Sequence, residues 1–309
     1  KDFKKSARKG NNDIFVIEAD EYDTAFFDKR SKFIHYKPDT LIINNIEFDH
    51  GDIFPDITYI HREFHHLVRS LKEEASIIFP TDDLNISKVL DMGCWSELIS
   101  YGIGIEHNNS IELNDDSKKT TYKIDTQEGH IDWDMFGEHN ARNAMSAALA
   151  AYKYGIPLKD SLGSLEKFQG VSKRQDFLLN TEELILIEDF AHHPTAIKST
   201  LEGIRKNYPD NRLLAAIELR SNTMKSGFHD ERLIEATAEA DKIFWKSEDL
   251  EQAKSLVSRN LSKSDHISDV DEFVDMFDSL SIEGDILIIM SNGDFDGLST
   301  KLVKKIKND

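Results

Sequence analysis

Acidic residues and histidines follow a short apolar run in the second half of the chain, at a place where a ligand could bind. The run at residues 184–187 ends in Glu188-Asp189-Phe190-Ala191-His192-His193, and Pro194 then opens an amphipathic helical pattern. Open α/β sheets bind ligands at the carboxyl ends of their strands, and helix N-termini favour anions. The segment therefore predicts an anion-binding loop. An ordinary polar connection between a strand and a helix is the alternative.

A second acidic cluster could hold a metal ion. Glu18 ends an apolar run at residues 13–18, and His50 follows another at residues 40–46. Both runs predict buried parallel strands, and neighbouring strands would bring the two side chains to one edge of the sheet. A carboxylate and an imidazole with open coordination positions suit Mg²⁺ or Mn²⁺ that bridges to phosphate oxygens. Solvated loop acids are the alternative.

Amides, a histidine and an arginine are further candidates. His139, Asn140 and Asn143 open an Ala-rich helical segment. The two amides lie on one helical face and could pair with a base edge while the His139 ring stacks on it. Helix capping by Asn140 is the alternative. Arg174, at the expected junction of two domains, could reach a transferring phosphate, and a solvated linker cation is the alternative.

Two further loops in the second half could bind a ligand, and the first of them fits a ligand that carries a carboxylate. The first is Arg220-Ser221-Asn222-Thr223, in which Arg220 offers a bidentate grip and its neighbours offer amide and hydroxyl donors. The second is Ser291-Asn292-Gly293, in which glycine permits close approach of the backbone. A charged loop and an ordinary turn are the respective alternatives.

The composition excludes several classes of protein. The 309 residues suggest about two domains, and the charged content of 31% with a mean hydropathy of -0.48 is typical of a soluble protein. No run approaches the ~20 apolar residues of a membrane helix, and no apolar segment near the N-terminus predicts a signal peptide. A single cysteine, Cys94, allows no internal disulfide. We therefore expect a cytoplasmic protein with no membrane association, and the net charge of -19 argues against nucleic-acid binding.

Hydrophobic patterns predict a two-domain α/β protein. In the first half we expect strands at 13–18, 40–46 and 75–79, helices at 57–71 and 140–154, and short antiparallel strands between 102 and 133. In the second half we expect strands at 184–188, 213–219, 242–246 and 285–290, which alternate with helices at 195–206, 230–240, 249–259, 270–280 and 296–307. This alternation predicts a doubly wound, mostly parallel sheet. We place the domains at residues 1–177 and 178–309.

Taken in chain order, these motifs resemble the Mur ligases, the ATP-dependent amide-bond ligases of bacterial peptidoglycan synthesis. The motifs are Glu-Ala-Asp-Glu, Asn-x-x-x-Asp-His, His-Asn-x-x-Asn, Lys-Arg and Asp-Phe-Ala-His-His-Pro-Thr. A finer match, to the branch that acts on murein tripeptide, is carried by residues 15–33, 64–69, 92–97, 220–225 and 290–293. The resemblance covers essentially the whole chain. It implies a central ATPase domain with a small antiparallel sheet, followed by a Rossmann-like C-terminal domain.

The resemblance also implies ATP and Mg²⁺ as cofactors and a role for each candidate residue. Glu18 and His50 would hold Mg²⁺ and act in catalysis together with Arg174. ATP would contact His139, Asn140 and Asn143 through its adenine, Arg174 through its phosphates, and Asp189 and His192 from the C-terminal domain. The incoming peptide would face Arg220, Ser221, Asn222, Thr223, Ser291 and Asn292.

The implied reaction joins UDP-N-acetylmuramate to L-Ala-γ-D-Glu-meso-diaminopimelate through an acyl phosphate, in peptidoglycan recycling. The phosphate loop G-x-x-x-x-G-K-[ST] is absent from the sequence, and the family's UDP-sugar domain is missing, so we expect a fragment that is inactive alone. Two alternatives stay open. One is another Mur-type ligase, such as one that adds free L-alanine to UDP-N-acetylmuramate, against which the loop at 220–225 argues. The other is a non-catalytic, peptide-binding fragment.

Overall fold

The chain forms two compact units in the computed structural model, which describes residues 7–24, 28–48, 54–104, 106–113, 119–133, 135 and 137–308. Residues 2–133 and 140–168 make up the N-terminal unit, and residues 134–139 and 169–309 make up the C-terminal unit. The domain division at residues 177 and 178 remains a prediction.

A six-stranded sheet with strand order β1-β2-β3-β4-β5-β6 forms the framework of the N-terminal unit. The strands are β1 (Thr40–Ile42), β2 (Ser76–Pro80), β3 (Glu97–Ile103), β4 (Asn109–Leu113), β5 (Lys119–Ile124) and β6 (Gln127–Asp132). Strands β1 to β4 pair in parallel, whereas β4, β5 and β6 pair antiparallel. The predicted parallel sheet with a small antiparallel part is therefore confirmed.

Among the described residues, four α-helices accompany this sheet. They are α1 (Ile57–Val68), α2 (Leu84–Asp91), α3 (Glu138–Lys153) and α4 (Leu158–Leu165). Helix α3 packs Ala144, Met145 and Ala148 into one core with Tyr101 and Tyr122 of the sheet, and its many alanines allow close approach. A short 3₁₀ helix, Lys32–His35, lies before β1.

The predicted buried strand at residues 13–18 is wrong. No strand forms over these described residues, and the side chains of Phe15 and Val16 are 71% and 90% exposed. A strand needs a neighbour to take up its backbone N–H and C=O groups, and the described strands provide none for this segment. The second predicted strand is also shorter than expected, because β1 ends at Ile42 rather than Ile46.

A second six-stranded sheet, with strand order β11-β10-β9-β12-β8-β7, forms the framework of the C-terminal unit. Its strands are β7 (Asp176–Asn180), β8 (Leu184–Asp189), β9 (Leu213–Leu219), β10 (Lys242–Ser247), β11 (Ser264–His266) and β12 (Asp285–Met290). All pairs are parallel except that of β7 with β8. The helices are α5 (Pro194–Asn207), α6 (Asn222–Lys225), α7 (Asp230–Ala236), α8 (Leu250–Arg259), α9 (Val270–Leu280) and α10 (Leu298–Asn308), with a 3₁₀ turn at Phe295–Gly297.

Both faces of this sheet are covered. Along β9, Ala215 and Ile217 join one buried core, whereas Leu214 and Ala216 join the other. Burial on both faces explains why the sequence of this strand is continuously apolar rather than alternating. The predicted doubly wound second unit is confirmed. Among the helices of the described residues, none combines the length and the hydrophobicity that a membrane-spanning segment requires.

Candidate functional site

The carboxyl ends of three adjacent strands in the C-terminal unit bring most of the candidate residues to one sheet edge. In the register of β8, β12 and β9, Met290 lies beside Asp189 on one side and Ile217 on the other. The loops that follow these strands begin at Phe190, Ser291 and Arg220. Because ligands of open α/β sheets bind at such an edge, this is the candidate site.

A strained turn presents Arg174 close to this edge. Lys173 and Gln175, on either side of it, have φ angles of 58° and 46°, in the left-handed region that costs a non-glycine residue about 1 kcal/mol. Hydrogen bonds to the neighbouring strand end and loop hold the turn. The Lys173 ammonium donates to the Gly293 carbonyl at 2.6 Å, and the Gln175 N–H donates to an Asp189 carboxylate oxygen at 2.8 Å. Strain that is held in this way is typical of functional sites.

The Arg174 guanidinium is available for a ligand. It lies 4.8 Å from the centre of the Phe190 ring, a cation–π distance, and its side chain is exposed. Within the described residues, no hydrogen bond or ion pair engages it. A fixed, unpaired guanidinium next to a strand end can neutralise a phosphate.

Asp189 is buried at 3% exposure and organises backbone. Its two carboxylate oxygens accept the N–H groups of Gln175 at 2.8 Å and Ala191 at 2.7 Å. Burial raises the pKa of Asp189, and the two accepted hydrogen bonds and nearby Arg174 oppose that rise. Both oxygens are thus used within the fold, so the expected contact of Asp189 with a nucleotide stays a prediction.

Two histidines lie near Arg174 in the C-terminal unit. The His139 Nδ1 is 2.8 Å from the Ser199 hydroxyl, and burial, followed by repulsion from Arg174, lowers its pKa to about 4. The His192 Nδ1 lies 2.9 Å from the Phe190 carbonyl, and its ring packs edge-on against the Phe190 ring. At neutral pH, His139 is therefore a neutral group that adds no charge beside Arg174.

The Arg220 side chain lies against the loop after β12. A Cβ built on Gly293 would be only 2.6 Å from Arg220 Cδ and 2.7 Å from Nη1, so the arginine occupies the space that a side chain at 293 would need. Arg220 is exposed, and the described part of the chain supplies no hydrogen bond or ion pair to its guanidinium. Arg220 is thus a second unpaired guanidinium at this edge, suited to a carboxylate.

The other predicted peptide-facing residues differ in exposure. The Ser221 hydroxyl caps α6 by accepting the Met224 N–H at 3.3 Å, Asn222 is exposed and Thr223 is buried. The buried Ser291 hydroxyl donates to Glu218 and accepts the Gly293 N–H at 2.8 Å. The Asn292 amide oxygen is buried and accepts no hydrogen bond from the described residues.

The predicted adenine-binding amides lie on α3. Asn140, the third residue of that helix, is buried at 7% exposure, and Asn143 is exposed. The start of the helix at Glu138 places Asn140 inside it rather than at its cap.

The predicted metal site gains no support from the described residues. Glu18 is exposed and lies in the segment that forms no strand, and His50 lies outside the described residues. The part of the chain that the structure describes contains no group of three or more His, Cys, Asp or Glu side chains that could hold a metal ion.

Two family profiles match the sequence over regions that agree with this fold. The Mur ligase middle domain matches residues 2–151, and the Mur ligase, glutamate ligase domain matches residues 173–293. A ligase from Haemophilus influenzae is 36% identical over 98% of this chain and 67% of its own length. The chain belongs to the Mur ligase family.

Individual Mur ligases give a more detailed comparison. The Haemophilus influenzae protein and one from Escherichia coli are both UDP-N-acetylmuramate–L-alanyl-γ-D-glutamyl-meso-2,6-diaminoheptandioate ligases, and the latter is 39% identical over 97% of this chain. A crystal structure of a murein peptide ligase from Psychrobacter arcticus superposes with a TM-score of 0.69 at 35% identity and covers 98% of this chain. The chain spans 66% of the length of the Escherichia coli and Psychrobacter arcticus proteins.

The sequence analysis assigned no role to Lys173 and Glu218, which lie at the carboxyl-end edge of the second sheet. The Lys173 ammonium donates a hydrogen bond to the Gly293 carbonyl and lies 3.8 Å from the Glu188 carboxylate. Glu218 is buried and accepts a hydrogen bond from the Ser291 hydroxyl. Lys173 could have been noticed as the neighbour of Arg174. Glu218 could have been noticed as a lone acid inside the apolar strand β9.

Proposed function

We propose that this chain is the middle and C-terminal part of an ATP-dependent ligase that joins UDP-N-acetylmuramate to L-Ala-γ-D-Glu-meso-diaminopimelate. The proposed reaction transfers the terminal phosphoryl group of ATP to the muramate carboxylate, which forms an acyl phosphate and releases ADP. The tripeptide amine then attacks the acyl phosphate, and an amide and inorganic phosphate result. Peptidoglycan recycling is the proposed setting and the cytoplasm the proposed location.

One observation carries the proposal beyond family membership. The C-terminal unit has two exposed guanidinium groups, Arg174 and Arg220, that the described residues leave unpaired. The reaction has two anions to bind in addition to the sugar nucleotide: the phosphates of ATP and the carboxylates of the tripeptide. Two separate cationic side chains at one sheet edge suit that pair of substrates.

Each arginine has a proposed task. Arg174 would offset charge that builds up on the transferring phosphoryl group, since positioning and charge neutralisation dominate such reactions. Arg220 would hold a tripeptide carboxylate so that the amine is oriented toward the activated carbonyl, which favours reaction by proximity. His139, neutral because its pKa is lowered to about 4, would contact the nucleotide without adding charge.

The remaining assignments also stay proposals. ATP supplies the phosphoryl group, and Asn140, Asn143, Asp189 and His192 are its other proposed contacts. Mg²⁺, with Glu18 and His50 as proposed ligands, would offset repulsion between carboxylate and triphosphate. Ser221, Asn222, Thr223, Ser291 and Asn292 are the proposed neighbours of the tripeptide.

The two tasks can be separated kinetically in the protein extended to the full length of its relatives. We expect Arg220→Ala to raise the KM for tripeptide by about 10-fold or more and to leave the KM for ATP nearly unchanged, because one charge-assisted contact is lost. Arg174→Ala should instead lower kcat with a small effect on the KM for tripeptide. Arg259→Ala, which removes an exposed arginine at the end of α8, is the matched control.

The opposite pattern would contradict these assignments. If Arg220→Ala lowered only kcat, or raised the KM for ATP as much as that for tripeptide, Arg220 would not be the carboxylate group. Phosphate release that needs no tripeptide would contradict the ligase reaction itself.

A further inference from the structure

Gly293 is a glycine whose Cβ position is occupied by a neighbouring side chain. Eight glycines of the described chain have positive φ angles, but Gly293 is not among them, so its backbone conformation would accept a side chain. What leaves no room for a Cβ is the Arg220 side chain, whose Cδ, Nη1 and Cζ lie at 2.6, 2.7 and 2.8 Å from the Cβ position. The bare Cα of Gly293 is a seat for Arg220.

The seat is held on both sides. The Lys173 ammonium donates to the Gly293 carbonyl at 2.6 Å, and the Gly293 N–H donates to the Ser291 hydroxyl at 2.8 Å. That hydroxyl donates in turn to Glu218, which lies two residues before Arg220 on the chain. The loop that forms the seat is thus tied back to the strand that carries the arginine.

We propose that Gly293 and Lys173 are positioning residues that seat the Arg220 guanidinium for a peptide carboxylate. The proposal rests on the proposed role of Arg220 in the acceptor site. An exposed arginine loses rotamer freedom when it binds a ligand, and a side chain already restricted against a fixed loop loses less. The seat therefore strengthens carboxylate binding without touching the ligand.

Lys173 influences the positions of both Arg174 and Arg220, although its ammonium forms no hydrogen bond with either guanidinium group, because all three groups are donors. Lys173 precedes Arg174 and takes up one of the two left-handed conformations of its turn. Its hydrogen bond to Gly293 therefore fixes the Arg174 turn and the Arg220 seat at once. Loss of that ammonium should disturb both arginines, whereas a methyl group at position 293 should disturb Arg220 alone.

The first measurement is the rate at which phenylglyoxal modifies Arg220, followed by peptide mass mapping of this chain. In Gly293→Ala the displaced side chain should react about 3-fold faster or more, because it loses the contact that restricts it. Lys173→Met should raise the rates of both Arg220 and Arg174. Gly163→Ala is the matched control, since Gly163 has an ordinary φ and open space around its Cβ position, and Arg259 is the internal standard.

The second measurement is calorimetric titration with L-Ala-γ-D-Glu-meso-diaminopimelate. Gly293→Ala should raise the Kd about 10-fold while its unfolding midpoint stays at that of the parent chain, a combination that a purely structural role would not produce. If Arg220 reacts at the parent rate in folded Gly293→Ala and Lys173→Met, the proposal that these residues position Arg220 is overturned. If the reactivity changes but the parent chain binds no tripeptide, the seat stands and the acceptor assignment of the proposed function is what fails.

Discussion

Asp189 is a buried carboxylate that holds together the turn before β7 and the loop after β8. One oxygen accepts the Gln175 N–H and the other accepts the Ala191 N–H. In Asp189→Asn, one oxygen becomes an NH₂ group that faces an N–H donor. An unsatisfied buried donor costs about 1–3 kcal/mol. The variant also no longer buries a charge, which offsets part of this cost. We therefore expect the free energy of unfolding to fall by about 1–2 kcal/mol. Urea titration measures this loss.

An exposed aspartate serves as the control for this substitution. Asp210 lies in the turn between α5 and β9 and is exposed, so Asp210→Asn should stay within about 0.5 kcal/mol of the parent chain. Equal stability of the Asp189 and Asp210 variants would show that Asp189 does not organise the two segments.

At the scale of residues, the sequence identified chemistry but not geometry. Arg220 was predictable because an arginine after an apolar run suits a carboxylate, and the structure gives it an exposed, unpaired guanidinium. The seat at Gly293 was not predictable, because 73 positions separate the two residues in the sequence (293 minus 220) and only the parallel register of β9 and β12 brings their loops together. Asp189 looked like a ligand-binding acid, although its oxygens satisfy backbone groups within the fold.

At the scale of elements, the start of α3 carries a histidine that makes stability depend on pH. The folded protein keeps His139 neutral down to about pH 4, whereas the unfolded chain takes up the proton near pH 6.5. Between these values the unfolded state binds more protons, so stability is fully present above pH 6.5 and is lost as the pH falls toward 4. We expect this loss to amount to about 1–2 kcal/mol, given that His139 is partly exposed.

His139→Gln should remove this contribution, because glutamine does not titrate and can still bond to Ser199. Thermal unfolding of the parent chain and the variant between pH 7.5 and about 4.5 measures the difference. The control is His130→Gln at an exposed position of β6, which should keep the pH dependence of the parent. Identical pH profiles for the parent and His139→Gln would contradict the assignment of a lowered pKa to His139.

Elements with two covered faces were the ones that the sequence predicted best. Strands β8, β9 and β12 are continuously apolar because both sides of the second sheet are buried. Strand β7 was missed because it is a partly exposed edge strand that begins with an aspartate. The segment at residues 13–18 has the same apolar pattern as a buried strand but forms none in the described structure, since the pattern cannot show whether a neighbouring strand is present.

At the scale of the whole molecule, the two units have the architecture of the Mur ligase middle and C-terminal domains. The net charge of -19 means that anionic substrates must be bound by local cationic groups rather than by the overall field. Arg174 and Arg220 are the two groups proposed for this role in the C-terminal unit. The activity proposed for the protein depends on these local groups acting in a chain that spans 66% of its Escherichia coli relative.

The measurement that tests the central claim most directly is acceptor choice in the protein extended to the full length of its relatives. ATP consumption is followed with UDP-N-acetylmuramate and either L-Ala-γ-D-Glu-meso-diaminopimelate or free L-alanine. We expect phosphate release and amide formation with the tripeptide, and a kcat/KM for L-alanine lower by about 100-fold or more, because L-alanine lacks the further carboxylates proposed to bind Arg220. Preference for L-alanine, or no ATP consumption with either acceptor, would contradict the account.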